Sequence, residues 1–238
     1  ANSWDENWIL SQLYFIFQIE IQTKICIKLL TFSILIYIIS KENERKNIKK
    51  VGRKMKEQFL ELLKQVKREG INELIEFIEK TDFFTAPAST RFHGNYEGGL
   101  VEHSMKVYEI LKHKVETNME PLNVNPETLI LVPLLHDLCK ANFYKIDYRN
   151  AKNALGVWEK VPYYTVDDTI PYGHGEKSVM MITEYMKLTP EEKYSIRWHM
   201  GYTEPKELYN TIGAAYKKYP LALLMHEADL EATYFYDI

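Results

Sequence analysis

From Met55 onward apolar residues recur every three or four positions, the period of an α-helix with one buried face. Phe59, Leu60, Leu63 and Val66 form the first stripe; Ile71, Leu74, Ile75 and Ile78 form the second, after a break at Gly70. Residues 82–99 (DFFTAPASTRFHGNYEGG) interrupt the period with small and turn-forming types and predict a loop. A helix is expected over about 100–115, and another opens with Asn125 as N-cap and Pro126 at its first position. Only at 143–166 does the pattern become strand-like, with YKIDY and VWEKVPYYTV flanking the turn-forming NALG at 153–156. Helices resume at about 175–187, 190–199 (Thr189 cap, Pro190), 205–218 and 220–235. The pattern predicts an all-α helical bundle with a small β-hairpin insertion around 143–166.

Upstream of Met55 the chain reads differently. Segment 9–39 is dense in Ile, Leu, Phe and Tyr but is broken by Gln18, Glu20, Gln22, Lys24 and Lys28. Its longest apolar stretch, 29–39 with Thr31 and Ser33 inside, is far short of the roughly 20 residues a bilayer-spanning helix needs. A basic run, KENERKNIKKVGRK, follows where a signal peptide would carry small residues for cleavage. Three readings compete: membrane contact through 9–39, a helix packing on a partner, and a stretch outside the folded domain. The third is favoured, because Met55 opens the clean helical pattern. Residues 1–54 are thus expected to be an N-terminal extension and 55–238 the functional domain.

Composition is that of a globular chain, with 46% hydrophobic and 26% charged residues, enough for one substantial core. The two cysteines, Cys26 and Cys139, sit in unlike contexts and give no disulfide framework, which suits a reducing cytoplasm. Cys139 is expected to face the core. The net charge of −3 hides an asymmetry: residues 1–54 carry nine Lys/Arg against five acids, and the remainder 21 against 28. An acidic body lacks the Lys/Arg density that a long nucleic-acid groove needs, so no long duplex partner is expected. It suits a small anionic substrate drawn in by bound cations.

All seven histidines lie between residues 93 and 226, most in short runs: EHS, LLHDLCK, GHGEKS, RWHMG and MHEAD. Imidazoles and carboxylates are the ligands of hard-to-borderline divalent metals. His103 falls one turn into its helix, beyond a Gly98-Gly99 pair that permits close backbone approach. His136 and Asp137 end the next helix about 100° apart, so both can reach one ion. Asp229, flanked by Ala228 and Leu230 in the middle of the last helix, is costly to bury unless paired or metal-bound. His174 precedes a helix and His199 ends one, both beside glycines. His103, His136, Asp137 and Asp229 are therefore expected to hold one ion, with His174 and His199 serving a second. His113, in the polar helix turn LKHKVE, reads as a structural capping or core group.

In this order, HGNYEGGLVEHS, LLHDLCK, HGEKS, WHMG and HEAD resemble the HD superfamily of metal-dependent phosphohydrolases, whose signature is a helix-borne H…HD…D. The likeness covers roughly 83–235 and extends to the HD domains of bacterial 3′-to-5′ exoribonucleases and related phage and bacterial hydrolases. It implies an HD-domain helical bundle holding one or two divalent ions (Mn, Fe, Mg, Ni, Co or Zn), with Asp137 bridging them. Such ions acidify a water and clamp phosphoryl oxygens for in-line attack on nucleotides or short oligonucleotides. Lys140 is then placed to meet a phosphate oxygen or leaving group, and Arg91 and His93 to contact phosphate or act as general acid. Lys177, and Trp158 of the aromatic hairpin, are candidate substrate contacts. The same six ligands also resemble the diiron oxygenases of the superfamily, and a nucleotide-sensing module that binds without turnover is a third reading.

Overall fold

The computed structural model describes residues 6–236; residues 1–5, 237 and 238, and the side chain of Cys26, lie outside the described residues. The chain divides into two compact units, Ala1–Val51 and Gly52–Ile238. Helix α1 spans Glu6–Leu63. In the first unit the apolar side chains from Leu29 through Ile39 are exposed. Among the described residues, no helix is long and apolar enough to cross a membrane.

The second unit is helical apart from one hairpin, as the periodicity predicts. Its remaining elements are α2 (Ile71–Lys80), α3 (Gly99–Thr117), α4 (Pro126–Leu135), β1 (Tyr144–Lys152), β2 (Trp158–Val166), α5 (His174–Thr183), α6 (Pro190–Arg197), α7 (Tyr209–Lys218) and α8 (Pro220–Glu231). The expected caps are made. Asn125 accepts from Glu127 N at 2.8 Å to open α4, and Thr189 and Glu192 close a reciprocal capping box on α6. The hairpin turn is built by Asn153, whose Oδ1 accepts from the backbone N–H of Leu155 and of Val157.

Helix α3 packs on α4 and α8, and α6 packs on α4, α5 and α8. The interior between them is filled by Leu100, Val107 and Leu111 of α3, Leu131, Leu134 and Leu135 of α4, and Met225 of α8. Phe59 and Leu63 cover one side with Leu74 and Ile78, as their spacing requires. Each such side chain contributes about 1.5–3 kcal/mol by leaving water. A partly buried polar node, centred on the fully buried Glu192, crosses this framework. Arg68 donates to Glu127 at 2.8 Å and to both Glu192 oxygens at 2.8 and 2.7 Å, and Thr128 Oγ1 donates to Glu192 at 2.6 Å. It ties the segment after α1 to α4 and α6.

Several elements end earlier than the periodicity suggests. α5 stops at Thr183 and α6 at Arg197, so His199 sits in a turn beyond its helix. The helix expected from 205 opens with a 3-10 turn, Lys206–Leu208. Most consequential is α4, which ends at Leu135; Asp137 (φ −103°, ψ 20°) occupies a break before the 3-10 turn Leu138–Lys140. Asp229 lies in the last turn of α8 rather than its middle.

Candidate metal centre

The centre is assembled where the 82–98 loop meets the start of α3. Ala88 N donates to Gly94 O at 2.9 Å and Leu100 N to Ala86 O at 3.0 Å, so the loop lies directly on the helix. A Cβ on Gly99 would fall 2.0 Å from Gly94 O, which explains the glycine. One turn further, the ring of buried His103 lies 4.8 Å, centroid to centroid, from that of His93 in the loop, the two tilted at 37°.

The ends of α4 and α6 present two more imidazoles in a fixed tautomer. His136 Nδ1 lies 2.7 Å from Pro133 O, and His199 Nδ1 lies 2.6 Å from Ile196 O. The last carbonyls of a helix have no partner within it, so they are free to accept from these rings. A carbonyl only accepts, so each Nδ1 carries the proton and each Nε2 turns its lone pair inward. Among the described residues neither His136 Nε2 nor His199 Nε2 has a hydrogen-bond partner. The His199 ring is held neutral, its pKa lowered to about 3 chiefly by burial.

Asp137 stands between these groups. Its Oδ1 lies 2.8 Å from His174 Nε2 and 3.6 Å from His199 Nε2; its Oδ2 lies 2.7 Å from Lys140 Nζ, 3.4 Å from His136 Nε2 and 3.9 Å from His103 Nε2. Asp229 Oδ1 lies 3.0 Å from His103 Nε2 and 3.9 Å from His136 Nε2. Burial would raise both carboxyls, but Lys140 beside Asp137, with the hydrogen bond from His174, and the hydrogen bond from His103 to Asp229 hold them well below the usual carboxylate range. Burial also opposes charge on Lys140, and Asp137 outweighs it to keep the ammonium protonated.

Three overlapping sets bring their donor atoms within 4.8 Å of one another: His103, His136 and Asp137; His136, His199 and Asp229; and Asp137, His174 and His199. Buried imidazole lone pairs facing ionised carboxylates fit a divalent cation, and the nitrogen and oxygen donors suit Mn, Fe, Co, Ni or Zn.

The other expected site residues divide. Lys140 and His93 line a cavity of about 460 Å³ over the centre. Burial pushes His93 down to about 4, and neither ring nitrogen has a hydrogen-bond partner among the described residues. Arg91 lines the adjoining groove instead. Lys177 is placed elsewhere: its buried ammonium donates to Asp168 at 2.6 Å beneath the Phe143 ring. Trp158 is exposed at the turn end of the hairpin, paired with Lys152 and away from the cavity.

Two residues of the site escaped the sequence reading. Cys139 faces inward as expected, yet its Sγ meets His174 Nδ1 at 3.3 Å. His226 lines the cavity, its Nδ1 2.7 Å from His199 O and its ring stacked on Tyr216. Its signal was the HEAD motif, since a residue three before Asp229 shares that face of a helix.

Comparison with known proteins agrees with this geometry. A family model described as HD domain matches residues 100–237. A dihydroneopterin 2′,3′-cyclic phosphate phosphodiesterase from Methanocaldococcus jannaschii is 31% identical over 103 residues, 37% of this chain and 41% of that protein. The chain thus matches less than half the length of that relative. No solved structure matches. With the family match spanning more than half of the chain and enclosing every member of the His/Asp cluster, this protein belongs to the HD domain family.

Proposed function

We propose that this protein is a metal-dependent phosphohydrolase that cleaves phosphomonoester or phosphodiester bonds of nucleotides or short oligonucleotides. The observation that carries the reading is the pair of buried, tautomer-locked Nε2 lone pairs on His136 and His199, aimed at two ionised carboxylates. Membership of the HD family and the likeness to a cyclic phosphate phosphodiesterase support it. His103, His136, Asp137 and Asp229 would hold one divalent ion, and His174 and His199 a second, with Asp137 common to both. A divalent cation there lowers the pKa of water toward neutrality and offsets charge on phosphoryl oxygens.

The remaining groups act on the substrate. Lys140, kept charged by Asp137 at the cavity wall, offers its ammonium to a phosphoryl oxygen. His93, neutral, at the cavity wall and with neither buried ring nitrogen hydrogen-bonded among the described residues, is the group to hydrogen-bond the leaving oxygen. Tyr144 stays protonated because burial pushes it up to about 12, and its hydroxyl donates to Ala88 O at 3.2 Å, steadying the loop that carries His93. The cavity falls within the roughly 300–1,000 Å³ typical of small-molecule sites. Residues 55–238 make up the functional domain in this reading, and unpatterned cysteines support a cytoplasmic setting.

The test is a screen of metal-stripped protein, reloaded with each of Mn²⁺, Fe²⁺, Co²⁺, Ni²⁺, Zn²⁺ and Mg²⁺, against nucleoside monophosphates, dinucleotides and bis-p-nitrophenyl phosphate. Release of phosphate, nucleotide or p-nitrophenol with at least one ion is expected. No release with any of them overturns the reading.

A further inference from the structure

A second cavity, of about 730 Å³, shares Thr90 and Val166 with the metal cavity and continues it along the hairpin. Arg91 and Asn95 of the loop and Arg149 and Tyr163 of the hairpin line it. Among the described residues no acidic side chain does.

Both walls distribute their side chains between the two cavities. Ser89 Oγ donates to His93 O at 2.8 Å and accepts from Phe92 N at 2.9 Å, and Asn95 Nδ2 donates to Thr90 O at 2.9 Å. The tight loop so formed puts His93 in the metal cavity and Arg91, two residues earlier, in the groove. On the hairpin, the directly paired Tyr144 and Val166 wall the metal cavity. Arg149 and Tyr163, diagonal neighbours on one sheet face, wall the groove, with the guanidinium 5.5 Å from the ring centroid.

The two guanidiniums are also unusual in charge. Arg53, Arg68 and Arg197 each pair with a carboxylate, whereas among the described residues neither Arg91 nor Arg149 does. Two like charges facing one groove repel each other unless an anion lies between them. Guanidinium forks match phosphate geometry bidentately.

We infer that this groove is a second anion subsite, which takes a non-reacting phosphate of the substrate whose other phosphate lies at the metal centre. The favoured substrates are then nucleotides with two separated phosphates, such as nucleoside bisphosphates or short oligonucleotides. The inference rests on the phosphohydrolase reading for the phosphate in the metal cavity.

Binding separates the two claims, because it does not require turnover. Calorimetry on the full chain loaded with Mn²⁺ compares a nucleoside 5′-methylenephosphonate with the same molecule carrying a 3′-phosphate. The 3′-phosphorylated probe is expected to bind at least about tenfold more tightly, the scale of one charge-assisted bidentate contact. Arg149→Ala and Arg91→Ala should each lose most of that preference; they lie on separate elements, so either suffices if the other misfolds. Lys160→Ala, which removes an exposed hairpin charge outside the groove, should keep it. Equal binding of the two probes by the unaltered protein, or a preference lost equally in Lys160→Ala, overturns the subsite. Absence of product release across the whole panel of ions and substrates, with the preference intact, overturns the hydrolase reading alone.

Discussion

The thiol of Cys139 lies 3.3 Å from Nδ1 of His174, while Nε2 of the same ring lies 2.8 Å from Asp137. Two residues of one short turn thus hold both nitrogens of a candidate ligand that opens a different helix. Cys139 N also donates to Ser178 Oγ at 3.0 Å, which fixes the turn to that helix. Cys139→Ala should therefore weaken divalent-metal affinity by about tenfold or more, the usual effect of losing a group that orients a ligand. Competition titration against a fluorescent chelator measures it. Unaltered affinity would show that the thiol only fills space.

The Arg68–Glu192 node should set acid stability. Burial would raise the Glu192 carboxyl, but Arg68, Thr128 and the Thr189 N–H hold it below its ordinary value. A depressed folded-state pKa stabilises the protein above the unfolded-chain value of about 4.3, and the contribution disappears as pH falls through the folded-state value. Glu192→Gln should thus cost about 3 kcal/mol near pH 7, as expected when one member of a buried pair is lost. The gap between variant and unaltered protein should close below about pH 4. Denaturant melts across pH 3–7 provide the check; a gap independent of pH would refute the assignment.

Two glycines should respond differently to alanine. At Gly99 a Cβ meets the Gly94 carbonyl at 2.0 Å, so the loop must move off α3. Gly99→Ala is expected to cost about 1–3 kcal/mol and to lower turnover, because His93 and His103 flank that contact. At Gly156 the turn has φ of 76° and nothing within 4 Å of a Cβ. Gly156→Ala should cost about 1 kcal/mol through backbone strain and leave kcat/KM unaltered. Chemical denaturation and steady-state kinetics separate the two effects.

Much of this architecture was legible in the sequence because it depends on local chemistry. Asn125-Pro126 and Thr189-Pro190 announced α4 and α6, and the alternating pattern around NALG announced the hairpin. Helix ends were less legible, since periodicity does not reveal where a carbonyl is taken by a side chain. His136 and His199 bind the carbonyls of Pro133 and Ile196 at such ends. The sequence named the six residues that converge, but not the contacts of His174 with Cys139 and of His199 with His226, which join residues 35 and 27 apart. Nor did it show that Lys177 is neutralised by Asp168, or that Trp158 lies at the exposed turn end of the hairpin.

Asp137 touches both halves of the cluster, so its removal tests the central claim most directly. Metal analysis and bis-p-nitrophenyl phosphate hydrolysis would be measured on the unaltered protein and on Asp137→Ala, each stripped and then reloaded with Mn²⁺. The account predicts that the unaltered protein retains the ion after desalting and turns over, whereas Asp137→Ala loses bound metal and turnover together. Full activity in Asp137→Ala, or undiminished hydrolysis by the unaltered protein in excess chelator, would contradict it.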